Sequence, residues 1–290
     1  MANSETKDEA AHPSQTLEYP GIEAEMEEQP RDEMSGYEGR GLLAGKVALV
    51  TGGDSGIGRA VSVAFAKEGA DVAIAYLEEH EDAERTADLI QAEGRRCILI
   101  PGDLADPKHC ATVVDTTVAE FATIDILVNN AAFQAPVDDP SELTFEQWQH
   151  TFAVNVTAPF LVTQAVLEHM PDGGSIINTA SVTGLRGHKT LLDYSATKGA
   201  LISLTNSLAQ ALMSRNIRVN AVAPGPVWTP LIPATFDAEK VQAFGSDTPM
   251  GRAAHPDEIA PSYVFFAADR LSSFYTGEVL APVGGQTMPG

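Results

Sequence analysis

The chain has 290 residues, enough for one large α/β domain, and its formal net charge of −22 disfavours binding to nucleic acid or to an anionic membrane. No apolar run approaches the roughly 18 residues of a membrane span, and the acidic N-terminus is unlike a secretory signal. Cys97 and Cys110 are the only cysteines and form no disulfide framework, so the sequence favours a reducing, cytoplasmic compartment. No histidine stands at a metal-ligand spacing, so we expect no metal site.

Residues 1–40 differ in composition from the rest of the chain. They are rich in Glu, Asp, Ser, Pro and Gly and have almost no aliphatic periodicity, which predicts an extended acidic arm without a fold of its own. Two interpretations remain open. The arm is disordered, or the segment Tyr19-Pro20-Gly21-Ile22 and Tyr37 dock on a neighbouring subunit.

From Lys46 onward, short aliphatic runs alternate with longer amphipathic ones. This pattern predicts a single-domain α/β fold over residues 41–290, a Rossmann-type doubly wound parallel sheet of about seven strands with helices on both faces. The predicted strands are Lys46–Thr51, Asp71–Tyr76, Arg96–Pro101, Asp125–Asn129, Gly174–Ala180, Ile217–Ala223 and Glu278–Pro282. The predicted helices are Ile57–Glu68, His80–Glu93, Pro107–Phe121, Phe145–Met170, Tyr194–Arg215 and Pro256–Ala268. The proline-rich range 224–254 is predicted to form a lid over the substrate.

The first strand runs directly into a glycine-rich turn, Gly52-Gly-Asp-Ser-Gly56-Ile-Gly58, and then into a helix. Glycine allows the backbone to turn sharply and to approach a pyrophosphate, and free amides at a helix N-terminus attract its charge. Strand, glycines and helix in this order therefore predict a dinucleotide-binding loop.

The end of the second strand is where the adenosine ribose of a dinucleotide is expected. Tyr76 stands in the place of the usual ribose-binding carboxylate, and Glu78 and Glu79 follow it. Because two carboxylates repel a 2′-phosphate, we expect NAD to be favoured over NADP, although Arg59 or a rearranged Arg85 offers a route to NADP.

Tyr194 and Lys198 stand four residues apart, a spacing that brings both side chains to one face of a helix. A lysine ammonium beside a tyrosine favours the phenolate and lowers a pKa that is ordinarily about 10. With Ser181 a short loop upstream, the three residues predict a proton-transfer site for an alcohol or a carbonyl group.

Together these motifs resemble the short-chain dehydrogenase/reductase family over roughly residues 44–285. Gly102-Asp103-Leu104 resembles its adenine-binding segment, and Asn129-Asn-Ala-Ala132 resembles its Asn-Asn-Ala-Gly motif. Pro224-Gly-Pro-Val-Trp-Thr229 resembles the loop that contacts the nicotinamide carboxamide. The acidic extension is similar to that of a bacterial subgroup whose substrates are unknown.

The resemblance implies an NAD(P)-dependent oxidoreductase that transfers a hydride between nicotinamide and an aldehyde, ketone or secondary alcohol. It implies four catalytic residues: Tyr194 as general acid and base, Lys198 on the phenolate and the nicotinamide ribose, Ser181 on the substrate oxygen, and Asn155 on a water. The implied cofactor-binding residues are Gly52, Asp54, Ser55, Gly56, Ile57, Gly58, Tyr76, Asp103, Leu104, Asn130, Ala131, Tyr194, Lys198, Pro224, Gly225, Val227 and Thr229.

Other functions remain possible from the sequence. A non-catalytic dinucleotide-sensing protein is one alternative, and a dehalogenase- or epimerase-like relative is another. An enoyl reductase is disfavoured by the short spacing between Tyr194 and Lys198.

The expected partners are a small-molecule substrate and further copies of the chain. The resemblance implies a homotetramer built on the helix Tyr194–Arg215. Pro282 predicts that the last strand ends early or lies at the sheet edge, since proline cannot donate to the ladder. Candidate substrate-pocket residues are Gln134, Thr183, Leu185, Arg186, His188, Leu191, Leu192 and Trp228.

Overall fold

A single parallel sheet of seven strands forms the centre of the computed structural model, which describes residues 12–286. The strand order is β3-β2-β1-β4-β5-β6-β7, so the predicted doubly wound fold is confirmed. The strands are β1 Val47–Thr51, β2 Asp71–Tyr76, β3 Cys97–Pro101, β4 Ile126–Asn129, β5 Ser175–Thr179, β6 Arg218–Val222 and β7 Val279–Leu280. As predicted for a strand that meets Pro282, β7 is short and lies at the sheet edge.

Helices cover both faces of the sheet, and alternate residues of β1 point to opposite layers. Val50 belongs to the core beneath α1 and α10, where it joins Phe65 and Tyr263, whereas Leu49 belongs to the core on the other face, with Val114 of α3. The longer helices are α1 Gly56–Lys67, α2 His80–Ala92, α3 Pro107–Phe121, α7 Leu192–Ala211 and α10 Pro256–Ala267. None of the helices within residues 12–286 is both long and apolar enough to cross a membrane.

The single helix predicted over Phe145–Met170 is wrong in detail. The structure has α4 Phe145–Phe152, one π-helical turn Ala153–Thr157, and α5 Ala158–Val166. Pro159 has no N–H to donate to the carbonyl of Asn155 four residues earlier, so the regular helical ladder cannot run through this point.

Short helices complete several loops. Those after the carboxyl ends of the strands are α6 Val182–Arg186, α8 Leu231–Thr235 and α9 Ala238–Gln242, whereas α11 Asp269–Ser272 lies beside the amino end of β6. The predicted lid range 224–254 thus contains α8 and α9. The start of α7 at Leu192 places Tyr194 within its first turn.

The described part of the N-terminal arm, residues 12–40, packs on its own chain. Met26 and Met34 are buried, and the Tyr37 hydroxyl donates a hydrogen bond to Glu68. Disorder is therefore the wrong interpretation for these residues, and Tyr37 contacts its own domain. Residues 1–11 lie outside the described residues.

Trp228 is the main docking point of the arm. Its indole ring is fully buried, its N–H donates to the Glu28 carbonyl at 2.9 Å, and the His12 ring stacks on it at a centroid distance of 3.8 Å. The prediction that Trp228 lines the substrate pocket is wrong, because the arm covers this ring.

Candidate active site

A cleft opens at the carboxyl ends of the strands, where the strand order reverses between β1 and β4. Both the glycine loop and the Tyr194–Lys198 pair lie on its wall. Of the residues implied by the family resemblance, the structure brings together Gly52, Asp54, Ser55, Gly56, Ile57, Tyr76, Asp103, Leu104, Asn130, Ala131, Tyr194, Lys198 and Thr229.

The glycine loop is closed tightly against β4. A Cβ atom on Gly58 would lie 1.7 Å from the Gly52 carbonyl oxygen, so only glycine permits α1 to begin this close to the loop. The Asn130 side-chain amide donates to the same carbonyl at 2.9 Å. The Thr51 hydroxyl oxygen accepts the N–H groups of Asn130, at 2.9 Å, and of Ala131, at 3.1 Å. The amino end of α1 thereby faces the cleft, and the dipole of a helix at its amino end attracts a group such as a pyrophosphate.

Tyr194 and Lys198 lie one turn apart on α7 and form the other end of the cleft. The Lys198 ammonium nitrogen is 5.4 Å from the centroid of the Tyr194 ring and donates to the Thr179 carbonyl at 2.7 Å. Ser181 lies just beyond β5, and its hydroxyl oxygen accepts the Thr183 N–H at 3.1 Å. The structure thus brings three of the four residues of the implied catalytic set together.

Burial governs the protonation of this pair. Burial raises the pKa of Tyr194 to about 12, with a hydrogen bond from Ser181 as a smaller opposing influence, and burial lowers the pKa of Lys198 to about 7. The predicted depression of the phenol pKa by a neighbouring ammonium is therefore wrong, because desolvation dominates both groups. With a pKa of about 7, Lys198 is only about half protonated at pH 7.

The Asn155 side chain is held by protein groups of two neighbouring segments. Its amide oxygen accepts the Phe133 N–H at 2.8 Å, and its amide nitrogen donates to the Phe133 carbonyl at 2.8 Å and to the Thr197 hydroxyl at 3.1 Å. The side chain therefore clamps the segment that follows β4, and the predicted role of Asn155 in holding a water stays a prediction.

Asp193 is a buried residue of this region that was missed from the sequence. One carboxylate oxygen accepts the Tyr194 N–H at 2.9 Å, and the other accepts the Thr151 hydroxyl at 2.6 Å. An acidic residue in the first turn of a helix was the available signal, since it complements the helix dipole. This contact joins α4 to the start of α7 and positions Tyr194.

The adenosine end of the cleft is acidic. Asp54, Glu79 and Asp103 line it, and burial, together with repulsion from Glu79, raises the pKa of Asp54 to about 7. The Tyr76 hydroxyl is hydrogen-bonded to the His80 ring at 2.8 Å.

Neither arginine considered for NADP is directed to this end. Arg59 is buried and surrounded by the carboxylates of Glu23, Asp32 and Asp82, and Arg85 pairs with Glu33 at 2.5 Å. In this arrangement both guanidinium groups are engaged by carboxylates, so the alternative route to NADP through Arg59 or a rearranged Arg85 stays a prediction.

Four residues of the implied cofactor set do not line the cleft. Gly58 lies beneath the loop, and Val227 is buried in the core under α1. The Pro224 carbonyl accepts the Val182 N–H, and the Gly225 N–H donates to Pro282, so both belong to the support behind the cleft.

Conversely, several lining residues were not expected from the sequence: Tyr19, Pro20, Ala75, Leu77, His150, Val154, Thr179, Pro230 and Leu231. Most of them flank predicted motifs and could have been found as neighbours. Tyr19 and Pro20 carried no such signal.

Comparisons with known proteins agree with this geometry. A family model described as "Enoyl-(Acyl carrier protein) reductase" matches residues 52–287. A solved short-chain dehydrogenase from Burkholderia cenocepacia in complex with NADP superimposes with a TM-score of 0.78 at 36% identity, covering 84% of this chain and 98% of that one. The chain belongs to the short-chain dehydrogenase/reductase family. It is an NAD(P)-dependent oxidoreductase, and a purely sensing role is not favoured.

Three curated relatives are similar over almost their whole length. An uncharacterized oxidoreductase, YhdF, from Bacillus subtilis is 51% identical, covering 96% of both chains. NADPH-dependent aldehyde reductase 1 of Arabidopsis thaliana is 48% identical, covering 92% of this chain and 94% of its own. Glucose and ribitol dehydrogenase of Daucus carota is 45% identical, covering 96% of this chain and 97% of its own.

Residues 12–286 hold no group of side chains suited to a metal ion.

Proposed function

We propose that this oxidoreductase interconverts an alcohol and an aldehyde or ketone, with Tyr194 as the proton donor and acceptor. The observation that carries the proposal is the position of Tyr194, Lys198 and Ser181 at one end of the cleft whose other end is the glycine loop. A bound nicotinamide dinucleotide supplies or takes up the hydride.

Each residue of the chain has a separate task in this proposal. Tyr194 gives its hydroxyl proton to the oxygen of a carbonyl substrate, and it accepts the proton back in the oxidation. Ser181 donates a hydrogen bond to the same oxygen and stabilises the charge that develops there. Lys198 binds the nicotinamide ribose, and Asp193 is a positioning residue that fixes the start of α7.

The cofactor is held by the loop and strand ends that line the cleft. We propose that the amino end of α1, with Ser55, Gly56 and Ile57, binds the pyrophosphate, and that Asp103 and Leu104 flank the adenine. The adenosine ribose then meets Tyr76 and Glu79. In the range 224–254, Thr229 and Leu231 line the cleft from the opposite side, which supports its proposed role as a lid.

Two observations bear on the choice of dinucleotide and point in different directions. The Burkholderia relative was solved with NADP, and the Arabidopsis relative is named for NADPH. In this chain, however, Asp54 and Glu79 stand at the ribose end and both arginines nearby are engaged by carboxylates. We propose that these carboxylates weaken binding of the 2′-phosphate, so that NAD is preferred.

A substrate panel tests the proposed reaction. NADH and NADPH are each supplied with aldehydes and ketones, and NAD and NADP with ribitol, glucose and simple secondary alcohols, while the absorbance of reduced nicotinamide is followed. Turnover on a carbonyl or alcohol is the expected result. Tight binding of cofactor without turnover on any of them would contradict it. An enoyl thioester belongs in the panel because of the description of the matching family model, and turnover on it alone would assign the enoyl reaction instead.

We also propose that the chain is a cytoplasmic homotetramer. Aromatic side chains without cover support the assembly: Phe274 is 99% exposed, Phe145 is 66% exposed and Phe160 is 46% exposed. The predicted contact helix α7 keeps Leu204 and Leu208 half-buried, as expected for a face that a second copy would cover. Light scattering behind size-exclusion chromatography measures the assembly. Phe274→Asp should shift it to a smaller species, and a monomeric wild-type chain would overturn the proposal.

A further inference from the structure

Residues 17–32 of the arm cross the mouth of the cofactor cleft, and we refer to them as the strap. One end of the strap is attached to the lid range. The Leu17 N–H donates to the Pro233 carbonyl at 2.8 Å, and Gly21 packs so closely on α8 that an added Cβ would lie 2.8 Å from the Pro230 carbonyl oxygen.

The other end of the strap is attached to the adenosine side. The Glu23 N–H donates to the Asp82 carboxylate on α2 at 2.8 Å. The carboxylates of Glu23 and Asp32 both reach the buried guanidinium of Arg59, and Asp32 accepts the N–H of Gly56 at 3.1 Å. The strap therefore joins the lid to the first turn of the dinucleotide-binding helix.

Between these two attachments, Tyr19 and Pro20 form part of the cleft wall. The Tyr19 ring meets the Phe133 ring edge to face at a centroid distance of 5.3 Å. Burial raises the pKa of Tyr19 to about 12, and the carboxylates of Glu79, Asp103 and Asp54 act in the same direction, which places the phenol beside the adenosine end.

Phe133 is itself a rigid support. Its backbone N–H and carbonyl are both held by the side chain of Asn155, and its ring packs on His150 at a centroid distance of 4.6 Å. The strap is thus seated on a segment whose backbone is held on both sides by one side chain. This seat places the Tyr19 ring at the opening of the cleft, where 36% of the residue stays exposed.

We infer that Tyr19 is a dinucleotide-binding residue and that the strap must lift for the dinucleotide to enter or leave. The inference rests on the proposed cofactor cleft. Cofactor bound beneath the strap is held by the protein body on one side and by Tyr19 and Pro20 on the other. Exchange then requires the contacts with α8 to break, so the strap controls the dissociation rate of the cofactor.

Three variants test this assignment, with NADH and NADPH as probes. Tyr19→Ala removes the ring, and Gly21→Ala leaves the ring but forces the strap away from α8, because the Gly21 φ of +92° and the close Pro230 oxygen both reject a side chain. Gly36→Ala is the matched control, since it lies in the same arm and an added Cβ has no atom within 4 Å. Stopped-flow fluorescence gives the dissociation rates, and calorimetry gives the dissociation constants.

Tyr19→Ala and Gly21→Ala are each expected to raise the NADH dissociation rate by about tenfold, with Gly36→Ala unchanged. If the NADH dissociation rates of both variants stay within roughly twofold of the rate for Gly36→Ala, while the wild type binds cofactor, the inference alone is overturned. If the wild-type chain binds neither NADH nor NADPH, the proposed function itself fails.

Discussion

The two ends of the cleft differ in the number and the sign of the charged side chains that line them. At the proton-transfer end, Lys198 is the charged side chain on the wall, and burial drives both Lys198 and Tyr194 toward neutrality. At the adenosine end, Asp54, Glu79 and Asp103 crowd the wall, and behind them three more carboxylates surround the single guanidinium of Arg59.

This difference separates two physical tasks. A buried, weakly charged pair leaves the protonation of Tyr194 sensitive to any charge that a ligand brings, which suits proton transfer. An acidic wall is suited to the proposed selection among dinucleotides by repulsion, and Arg59 behind it binds the carboxylates of the strap. Four substitutions, two at each end, test this division.

Removal of the Tyr194 hydroxyl gives the largest expected effect. Tyr194→Phe should lower kcat by about 10³-fold, because the proton donor is lost while the ring and its packing remain. The dissociation constant for NADH should stay unchanged. Tyr275→Phe, which removes a phenol outside the cleft wall, is the control, and equal rates for the two variants would assign the proton transfer elsewhere.

At the same end of the cleft, Lys198→Met is expected to raise the stability of the fold and to lower its activity. Because the pKa of Lys198 is lowered from its ordinary 10.5 to about 7, the unfolded chain binds a proton that the folded chain lacks between those two pH values. The contribution of Lys198 to stability therefore rises with pH across this window. Replacement by methionine should raise the free energy of unfolding by about 2 kcal/mol at pH 7, and by less at pH 10, while kcat falls by about 10²-fold.

Urea unfolding at both pH values and steady-state rates check this prediction. Lys189→Met, in an exposed loop, is the matched control. A methionine variant that loses stability at pH 7 would show that the buried amine stabilises the fold and that burial does not dominate its protonation.

Asp32→Asn tests the acidic cluster behind the other end. Burial raises the pKa of Asp32 from 3.8 to about 9 against the attraction of Arg59, which lowers it, so the folded chain holds a proton that the unfolded chain releases above pH 4. Its contribution to stability is fully present below pH 4 and is lost as the pH rises through 9. Asparagine is neutral at every pH. The free energy of unfolding of the variant should therefore exceed that of the wild type by about 1 kcal/mol at pH 8.5 and equal it near pH 4.

Chemical unfolding as a function of pH measures this difference, and exposed Asp88→Asn should follow the wild-type curve. Parallel curves for Asp32→Asn and the wild type would mean that Arg59 keeps the carboxylate ionised.

Glu79→Gln gives the smallest expected change. Loss of one negative charge at the ribose end should lower the dissociation constant for NADPH by about threefold to tenfold. The dissociation constant for NADH should stay unchanged within the error of measurement. Glu78→Gln removes an adjacent exposed charge that does not line the cleft and serves as the control. Calorimetric titration decides the matter, and equal effects on both dinucleotides would remove Glu79 from the proposed selectivity.

Local spacing in the sequence was sufficient to predict the sheet, the glycine loop and the placement of Tyr194 and Lys198 on one helix. These features depend on residues a few positions apart, where strand and helix periodicity operate directly. The directions of the Tyr194 and Lys198 pKa values were not predictable in the same way. They depend on burial by α7 and by the end of β5, which spacing alone does not report.

The packing of the arm on its own chain could not be predicted from the sequence, for a different reason. Its contacts join His12 to Trp228 and Glu23 to Arg59, and they are made by single polar or aromatic groups without any repeat. An acidic composition indicated a solvated tail, but the carboxylates of Glu23 and Asp32 are buried against one arginine. Composition describes the average residue, and a few atypical contacts decide where such a segment lies.

The burial of Trp228 beneath the arm gives the protein an internal optical reporter. The chain has two tryptophans, and the other, Trp148, is 37% exposed, so their emission maxima should be separable. When the arm detaches, the indole loses its stacked imidazole and meets solvent, and its emission should move to longer wavelength. Arm movement can therefore be followed in the unlabelled protein, during turnover and in real time.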